Sequence, residues 1–375
     1  DFMKKILVLY ATYGSGHKTV ANYIYNYLNN KDYELYIIDL LEYASFTGKT
    51  SNFLFDLNIK YRSNHLYSFL YKIFDNKITT IPYKIVFKKM FKLNFLKNKI
   101  KEISPDLIIS THFFGTTIKT LLNDKETKLI SIITDYTSHE LWERDEENTD
   151  LFVVANKIIK NSLVEKGINK NKIYDYGIPV STHFKHIQNN QELKKKFKIN
   201  NNLKTILFFA GGSLGSNYSY NYLKKLLSKR FECNIIFICG KNTKLKKKCD
   251  LHIKNNNYKN VYIYGFTNLV SDLMNISDIV ITKPGGISIT ECLNTKVPMI
   301  LIPGNGGQEN YNLKYVCKNG YGVYSKNYKS LIKNVNKFLL SEKLLRKYNN
   351  NLKKYNNNNS LIKLEKLVNN LLKDK

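Results

Sequence analysis

The stretch Gly265–Asn312, GFTNLVSDLMNISDIVITKPGGISITECLNTKVPMILIPGNGGQENYN, decides the fold. Two apolar, β-branched runs inside it, Ile279–Thr282 and Val297–Ile302, have the composition of buried parallel strands. Each runs into a glycine-rich loop and a helix start: Lys283-Pro284-Gly285-Gly286 ahead of Ser288, and Gly304–Gly307 ahead of Gln308. Such loops expose backbone N–H groups, and the helix behind contributes the partial positive charge of its N-terminus. The combination suits a diphosphate, with Lys283 adding a cation. Glu291, three residues after Ser288, either serves a ligand or closes a Ser-x-x-Glu capping box.

The same rhythm runs outward in both directions. Toward the N-terminus the strand candidates are Ile6–Tyr10, Leu35–Asp39, Leu107–Ser110, Ile130–Thr134, Leu151–Ala155 and Ile173–Tyr176, with a helix over His17–Leu28. The second half restarts with Thr205–Ala210, Gly211-Gly212-Ser213, a helix near Tyr218–Arg230, then Ile235–Cys239 and Val261–Tyr264. Repeated strand–loop–helix units predict an α/β fold of two Rossmann-like domains, with ligand at the strand carboxyl ends in the cleft between them. The expected limits are 1–187 and 188–345, hinged in the polar stretch Gln188–Asn202, followed by a tail over 346–375. In that tail Asn349–Asn351 and Asn356–Asn359 read as linker or loop, while Leu361, Leu364, Val368, Leu371 and Leu372 share one helical face.

The formal charge of +29, with a pI near 9.6, points to an anionic partner or to a general drift toward lysine, which is spread along the chain. The cysteines (Cys233, Cys239, Cys249, Cys292, Cys317) form no C-x-x-C pair and read as reduced thiols rather than a zinc site. The apolar start at Met3–Tyr10 is too short for a signal peptide and leads into a glycine turn, so it reads as a first buried strand. With no run of about 18 apolar residues, membrane contact would be peripheral.

Chemistry-bearing residues gather at predicted strand ends. His17 follows a strand and the turn Gly14-Ser15-Gly16, where an imidazole serves as a general base or simply ties a loop together. Asp135 follows Ile130–Thr134 and is the other candidate base, or the N-cap of the next segment. Ser213, in the corresponding loop of the second half, can bind phosphate through its hydroxyl and neighbouring amides. Neither a G-x-G-x-x-G fingerprint nor a P-loop is present. No D-x-D occurs either, so charge on a bound diphosphate falls to helix dipoles, amides and Lys283, and no metal is expected. In the insertion Phe53–Lys101, Tyr67, Leu70, Tyr71 and Phe74 keep helical spacing, Phe87, Met90 and Phe91 continue it, and Lys84, Lys88, Lys89 and Lys92 ride alongside. That pattern fits either a core helix with a solvated face or a helix lying on an anionic bilayer. No recognisable nucleic-acid-binding motif accompanies the lysines.

Three blocks, in order across nearly the whole chain, resemble the monogalactosyldiacylglycerol synthase-like glycosyltransferases, the group that includes bacterial processive diacylglycerol glucosyltransferases. They are Gly14-Ser15-Gly16-His17; Thr134-Asp135-Tyr136 with His139 and the single tryptophan, Trp142; and Lys283-Pro284-Gly285-Gly286 with Thr290-Glu291, Pro298 and Gly307-Gln308-Glu309-x-x-Asn312. Ser15 stands where the group often has glycine. The resemblance implies the GT-B glycosyltransferase architecture, UDP-glucose or UDP-galactose as donor, diacylglycerol as acceptor and inversion at the anomeric carbon. His17 or Asp135 would be the base. Gly16, Gly212, Ser213, Lys283, Gly285 and Gly286 would hold the donor, with Phe266 beside its base, where ordinary core packing is the competing reading. Glu291 would meet the ribose hydroxyls, and Gln308, Glu309 and Asn312 the sugar and ribose. His139 and Trp142 would face the acceptor, and Lys84, Lys88 and Lys89 an anionic membrane, at the cytoplasmic side. The rival readings are N-acetylglucosamine transfer to a lipid-linked peptidoglycan precursor, a UDP-sugar epimerase, and a non-catalytic basic module binding nucleic acid or membrane.

Overall fold

The computed structural model describes residues 3–29, 31–46, 50, 83–187, 191–211, 217–357 and 359–373. Its contacts divide the chain into two compact units. One comprises Asp1–Thr182 with Asn305–Gln308 and Asn359–Lys375, the other His183–Gly304 with Glu309–Asn358.

The first unit is built on β1 (Lys4–Tyr10), β2 (Tyr33–Asp39), β3 (Leu107–Ser110), β4 (Lys128–Ile132), β5 (Leu151–Val153) and β6 (Ile173–Tyr174). Their order is β2-β1-β3-β4-β5-β6, and every pairing is parallel. Helices on a parallel sheet bury both faces, which is why Ile6–Leu9 are all apolar and fully enclosed. The chain leaves β1 for β2 on one side and returns to β3 on the other. That reversal opens a crevice beyond the carboxyl ends of β1 and β3. In register Leu9 pairs with Ser110, so the two ends are level.

The second unit repeats the plan with β7 (Thr205–Phe209), β8 (Asn234–Ile238), β9 (Val261–Tyr264), β10 (Ile279–Thr282), β11 (Met299–Leu301) and β12 (Gly322–Tyr324). The order is β12-β11-β10-β7-β8-β9, again parallel throughout, and the reversal lies between β7 and β10. Strand β12 has no counterpart in the sequence reading. Gly322 explains both its presence and its weak signal: a Cβ there would come within 2.3 Å of the Met299 carbonyl oxygen, so only glycine lets this strand reach β11.

A stretch expected as linker or loop and the one expected as the hinge take other forms. Asn349–Asn351 lies inside the helix Glu342–Lys353, capped at its start by the Ser341 side chain. Leu345 and Leu352 form its buried face, so spacing of the apolar residues outweighs the low helix propensity of asparagine. The expected hinge also belongs to the second unit. Residues 188–190 lie outside the described residues, but Gln191–Lys196 is helical and Ile199 is buried. Upstream, Ile187 N–H donates to Asn275 Oδ1 at 2.9 Å and His186 Nδ1 lies 3.1 Å from Thr295 O, so the unit begins at His183.

The terminal helix Ser360–Lys373 buries Leu361, Leu364, Leu367, Val368 and Leu372 and belongs to the first unit. There Tyr27 OH donates to Glu365 Oε2 at 2.8 Å, and Lys31 pairs with Glu365 at 3.0 Å, which ties it to the end of helix Gly16–Leu28. Cys233, Cys239, Cys249 and Cys292 are buried free thiols, and Cys317 is exposed.

Candidate active site

In the first unit the crevice between β1 and β3 is lined by residues from three strand ends. Gly14 takes φ +79°, a conformation that suits glycine, and turns the chain from β1 into helix Gly16–Leu28. His17, the second residue of that helix, is partly buried. Its Nδ1 lies 2.6 Å from the Thr111 carbonyl oxygen, just past β3, and 3.0 Å from Thr134 Oγ1, just past β4. A carbonyl oxygen only accepts, so Nδ1 carries the ring proton and Nε2 keeps its lone pair. Burial pulls the His17 pKa down to about 4, partly offset by the bond to Thr111. The ring is therefore a neutral proton acceptor at physiological pH, in the tautomer a general base needs.

Asp135 directly follows Thr134, the residue in contact with His17, and is partly exposed. It does not cap the next helix. His139 does: its Nδ1 accepts from Leu141 N–H at 3.2 Å to start the turn Glu140–Glu143. Trp142 is buried against Phe113, at 6.2 Å between centroids, and against His112, at 6.5 Å. Both His139 and Trp142 are buried.

In the second unit the carboxyl ends of β7, β10 and β11 stand side by side because those strands are neighbours. Helix Gly286–Thr295 has Gly285 as its N-cap, in an extended conformation and without any side-chain cap. Ser288 therefore sits within the first turn, and the Ser288–Glu291 capping box does not form. Glu291, 7% exposed, lies inside the helix. The uncapped amides behind Gly285 and Gly286 are donors suited to an anion. Gly211 at the β7 end has φ +95°, and a Cβ on it would stand 3.8 Å from the Lys283 side chain, so Gly211 and the β10 loop approach each other at the sheet's reversal. Gly212 and Ser213 lie outside the described residues.

The helix Gln308–Lys318 supplies residues that tie these loops together. Lys283 Nζ pairs with Glu309 Oε1 at 2.9 Å, and Asn312, fully buried, donates from Nδ2 to the Pro284 carbonyl at 3.0 Å. Glu309 also packs against Gly304, where a Cβ would fall 2.0 Å from Oε2. Gln308 opens the helix and is partly exposed. After β9, Phe266 is 65% exposed, so it is not a core residue, and Lys241 Nζ stands 5.3 Å from its ring centroid.

Of the insertion, Tyr67, Leu70, Tyr71 and Phe74 lie outside the described residues. Helix Tyr83–Met90 buries Tyr83, Phe87 and Met90, and Phe91 follows them into the core, so the described part of the aromatic stripe is core. Lys84 pairs with Asp145 at 3.2 Å. Lys88 and Lys89 are exposed, beside exposed Ile85 and Val86, and the next helix exposes Phe95. Among the described residues no helix is long and apolar enough to cross a membrane.

Two residues in contact with His17 escaped the sequence reading, Thr111 and His112, while the third, Thr134, stood in the Thr134-Asp135-Tyr136 block without a role of its own. The signal was present in the strand-end position of Ser110-Thr111-His112, but no spacing links it to residue 17.

Residues 17–180 match the family model of monogalactosyldiacylglycerol (MGDG) synthase, and residues 206–370 that of the glycosyltransferase family 28 C-terminal domain. A processive diacylglycerol beta-glucosyltransferase of Staphylococcus carnosus is 30% identical over 329 residues, covering 85% of this chain and 80% of the relative. One of Bacillus pumilus is 28% identical over 358 residues, covering 93% and 90%. Among solved structures, MurG of Acinetobacter baumannii aligns over 98% of this chain and 99% of its own with a TM-score of 0.63 at 14% identity, a likeness of fold.

Proposed function

The chain belongs to the family of processive diacylglycerol beta-glucosyltransferases, and on that premise we propose that it transfers a hexose from a UDP-sugar to the free hydroxyl of diacylglycerol, with inversion. The observation that carries the reading is the 30% identity to a named diacylglycerol glucosyltransferase across 85% of this chain. The relatives' names favour glucose over galactose.

In the reaction the acceptor O–H donates to Nε2 of His17. As the oxygen attacks the anomeric carbon, the proton passes to the imidazole, the bond from that carbon to the diphosphate breaks, and its electron pair leaves with UDP. Thr111 keeps the ring in the tautomer that can take this proton. Asp135 is the alternative base or the partner of the imidazolium. Negative charge growing on UDP is met by the amides behind Gly285 and Gly286, the Gly211–Ser213 loop with Gly212, and Lys283, whose charge Glu309 shares. Glu291 accepts from the ribose hydroxyls, Phe266 stacks on the uracil, and Gln308 approaches the hexose. No metal is required. The exposed Ile85, Val86 and Phe95, with Lys88 and Lys89 among them, support docking on the anionic cytoplasmic face of the membrane, without nucleic acid as a partner.

The test is transfer from radiolabelled UDP-glucose and UDP-galactose to diacylglycerol in anionic vesicles, with EDTA present. Label in a glycolipid supports the reaction, names the sugar and supports metal independence. UDP binding without label moves the acceptor elsewhere. Loss of both ends the transferase reading.

A further inference from the structure

His112 ends the turn after β3 and is 5% exposed. Its ring is held on several sides: Phe113 and Phe114 at 4.3 Å between centroids, Tyr13 stacked at 5.9 Å, and Trp142 beyond them. Nδ1 accepts the Phe114 N–H at 3.2 Å. With that lone pair used, the neutral ring carries its proton on Nε2. Burial and the neighbouring His17 hold it neutral, well below the ordinary histidine pKa. No described residue accepts a hydrogen bond from this Nε2–H.

The ring of His17 stands 4.6 Å away, edge to face. The two imidazoles are therefore neighbours in opposite tautomers. Both have Nδ1 bonded to the main chain of the four-residue stretch Thr111–Phe114, His17 as donor and His112 as acceptor. Both have Nε2 left over, one as an acceptor and one as a donor. A substrate that satisfies both must offer a hydroxyl proton and, a few ångströms away, an oxygen acceptor. Diacylglycerol has that arrangement, because the carbon bearing its free hydroxyl adjoins the carbon bearing an ester, whose carbonyl is a good acceptor.

We infer that His112 is an acceptor-binding residue whose Nε2–H donates to the ester carbonyl of diacylglycerol next to the hydroxyl that His17 deprotonates. The inference rests on diacylglycerol being the acceptor. It separates the two histidines by role: His17 moves the proton, while His112 reads the ester and orients the hydroxyl. A dialkylglycerol with ether links keeps the hydroxyl and the chains but lacks the carbonyl.

The experiment compares kcat/KM for 1,2-dioleoylglycerol and the corresponding 1,2-dialkyl ether, with UDP-glucose as donor, in wild type, His112→Phe and His112→Gln. Wild type is expected to prefer the diester by about tenfold, the worth of one hydrogen bond. His112→Phe keeps the aromatic packing and should bring that ratio to about one, by losing rate with the diester only. His112→Gln keeps an N–H donor and should retain part of the preference. A wild-type ratio near one overturns the inference without any variant. A phenylalanine variant that keeps the wild-type ratio, or that loses rate equally with both acceptors, also overturns it and leaves a packing role. No transfer to either acceptor by wild type, with UDP still bound, instead removes the diacylglycerol reading beneath it.

Discussion

The Lys283 ammonium lies 2.9 Å from Oε1 of Glu309, with the carboxylate side chain only 10% exposed. The cation at the Gly285–Gly286 loop is thus already shared with a neighbouring helix. Removing Lys283, whose side chain is 30% exposed, leaves a buried carboxylate without its cation, and Lys283→Met should cost about 1–3 kcal/mol of stability, the scale of a buried polar group deprived of a partner. Glu309→Gln should cost less, and should tighten binding of UDP, which has no hexose for Glu309 to contact. Urea unfolding and UDP titration calorimetry read both effects. Weaker UDP binding by Glu309→Gln would mean that the ammonium needs its partner in order to be held in place.

Glu291 is enclosed in a helix whose N-cap is Gly285, so it has no capping role to lose. Glu291→Ala should keep the wild-type melting temperature within a few degrees and weaken UDP binding by roughly ten- to a hundredfold, the scale of charge-assisted hydrogen bonds. A folded variant with unchanged UDP affinity would remove the ribose assignment.

His17→Ala and Asp135→Ala should each bind UDP nearly as wild type does. Turnover should fall by a factor on the order of 10²–10⁴ for whichever is the base. Steady-state kinetics beside UDP titrations separate the two effects. Full turnover in both variants would rule out the base assignment.

The low pKa of His17 sets a pH dependence. The base works only while neutral, so kcat/KM should stay flat with respect to this group down to pH 5 and fall as pH drops through about 4. Stability should follow in the same direction. Between the unfolded value of about 6.5 and the folded value of about 4, the unfolded chain binds more protons, so this histidine's contribution is complete above the upper limit and lost toward the lower. An acid limb centred near 6.5 in the rate profile would show that the ring is not desolvated as described.

Most of both sheets was legible because their strands are short apolar runs, several of them leading into glycine-bearing loops, and both features are local. Ile279–Thr282 matches β10 residue for residue. What escaped was set by neighbours distant in sequence. Strand β12 exists because Gly322 can approach Met299, and the asparagines at 349–351 are helical because Leu345 and Leu352 have a core to enter. The site divided in the same way. His17 and Lys283 stood out at strand ends, while the bond from Asn312 to Pro284 and the ion pair of Lys84 with Asp145 join residues far apart in sequence.

By itself, the sequence determined two parallel α/β units and the strand ends at which chemistry gathers, since apolar periodicity and loop composition belong to contiguous residues. The tertiary structure alone decided which proton sits where. The tautomer of His17 is set by a carbonyl 94 residues away, and the charge of Lys283 is shared with a carboxylate 26 residues on. Hydrogen bonds and ion pairs act over about 3 Å of space whatever the separation along the chain, so no reading of spacing could have assigned them.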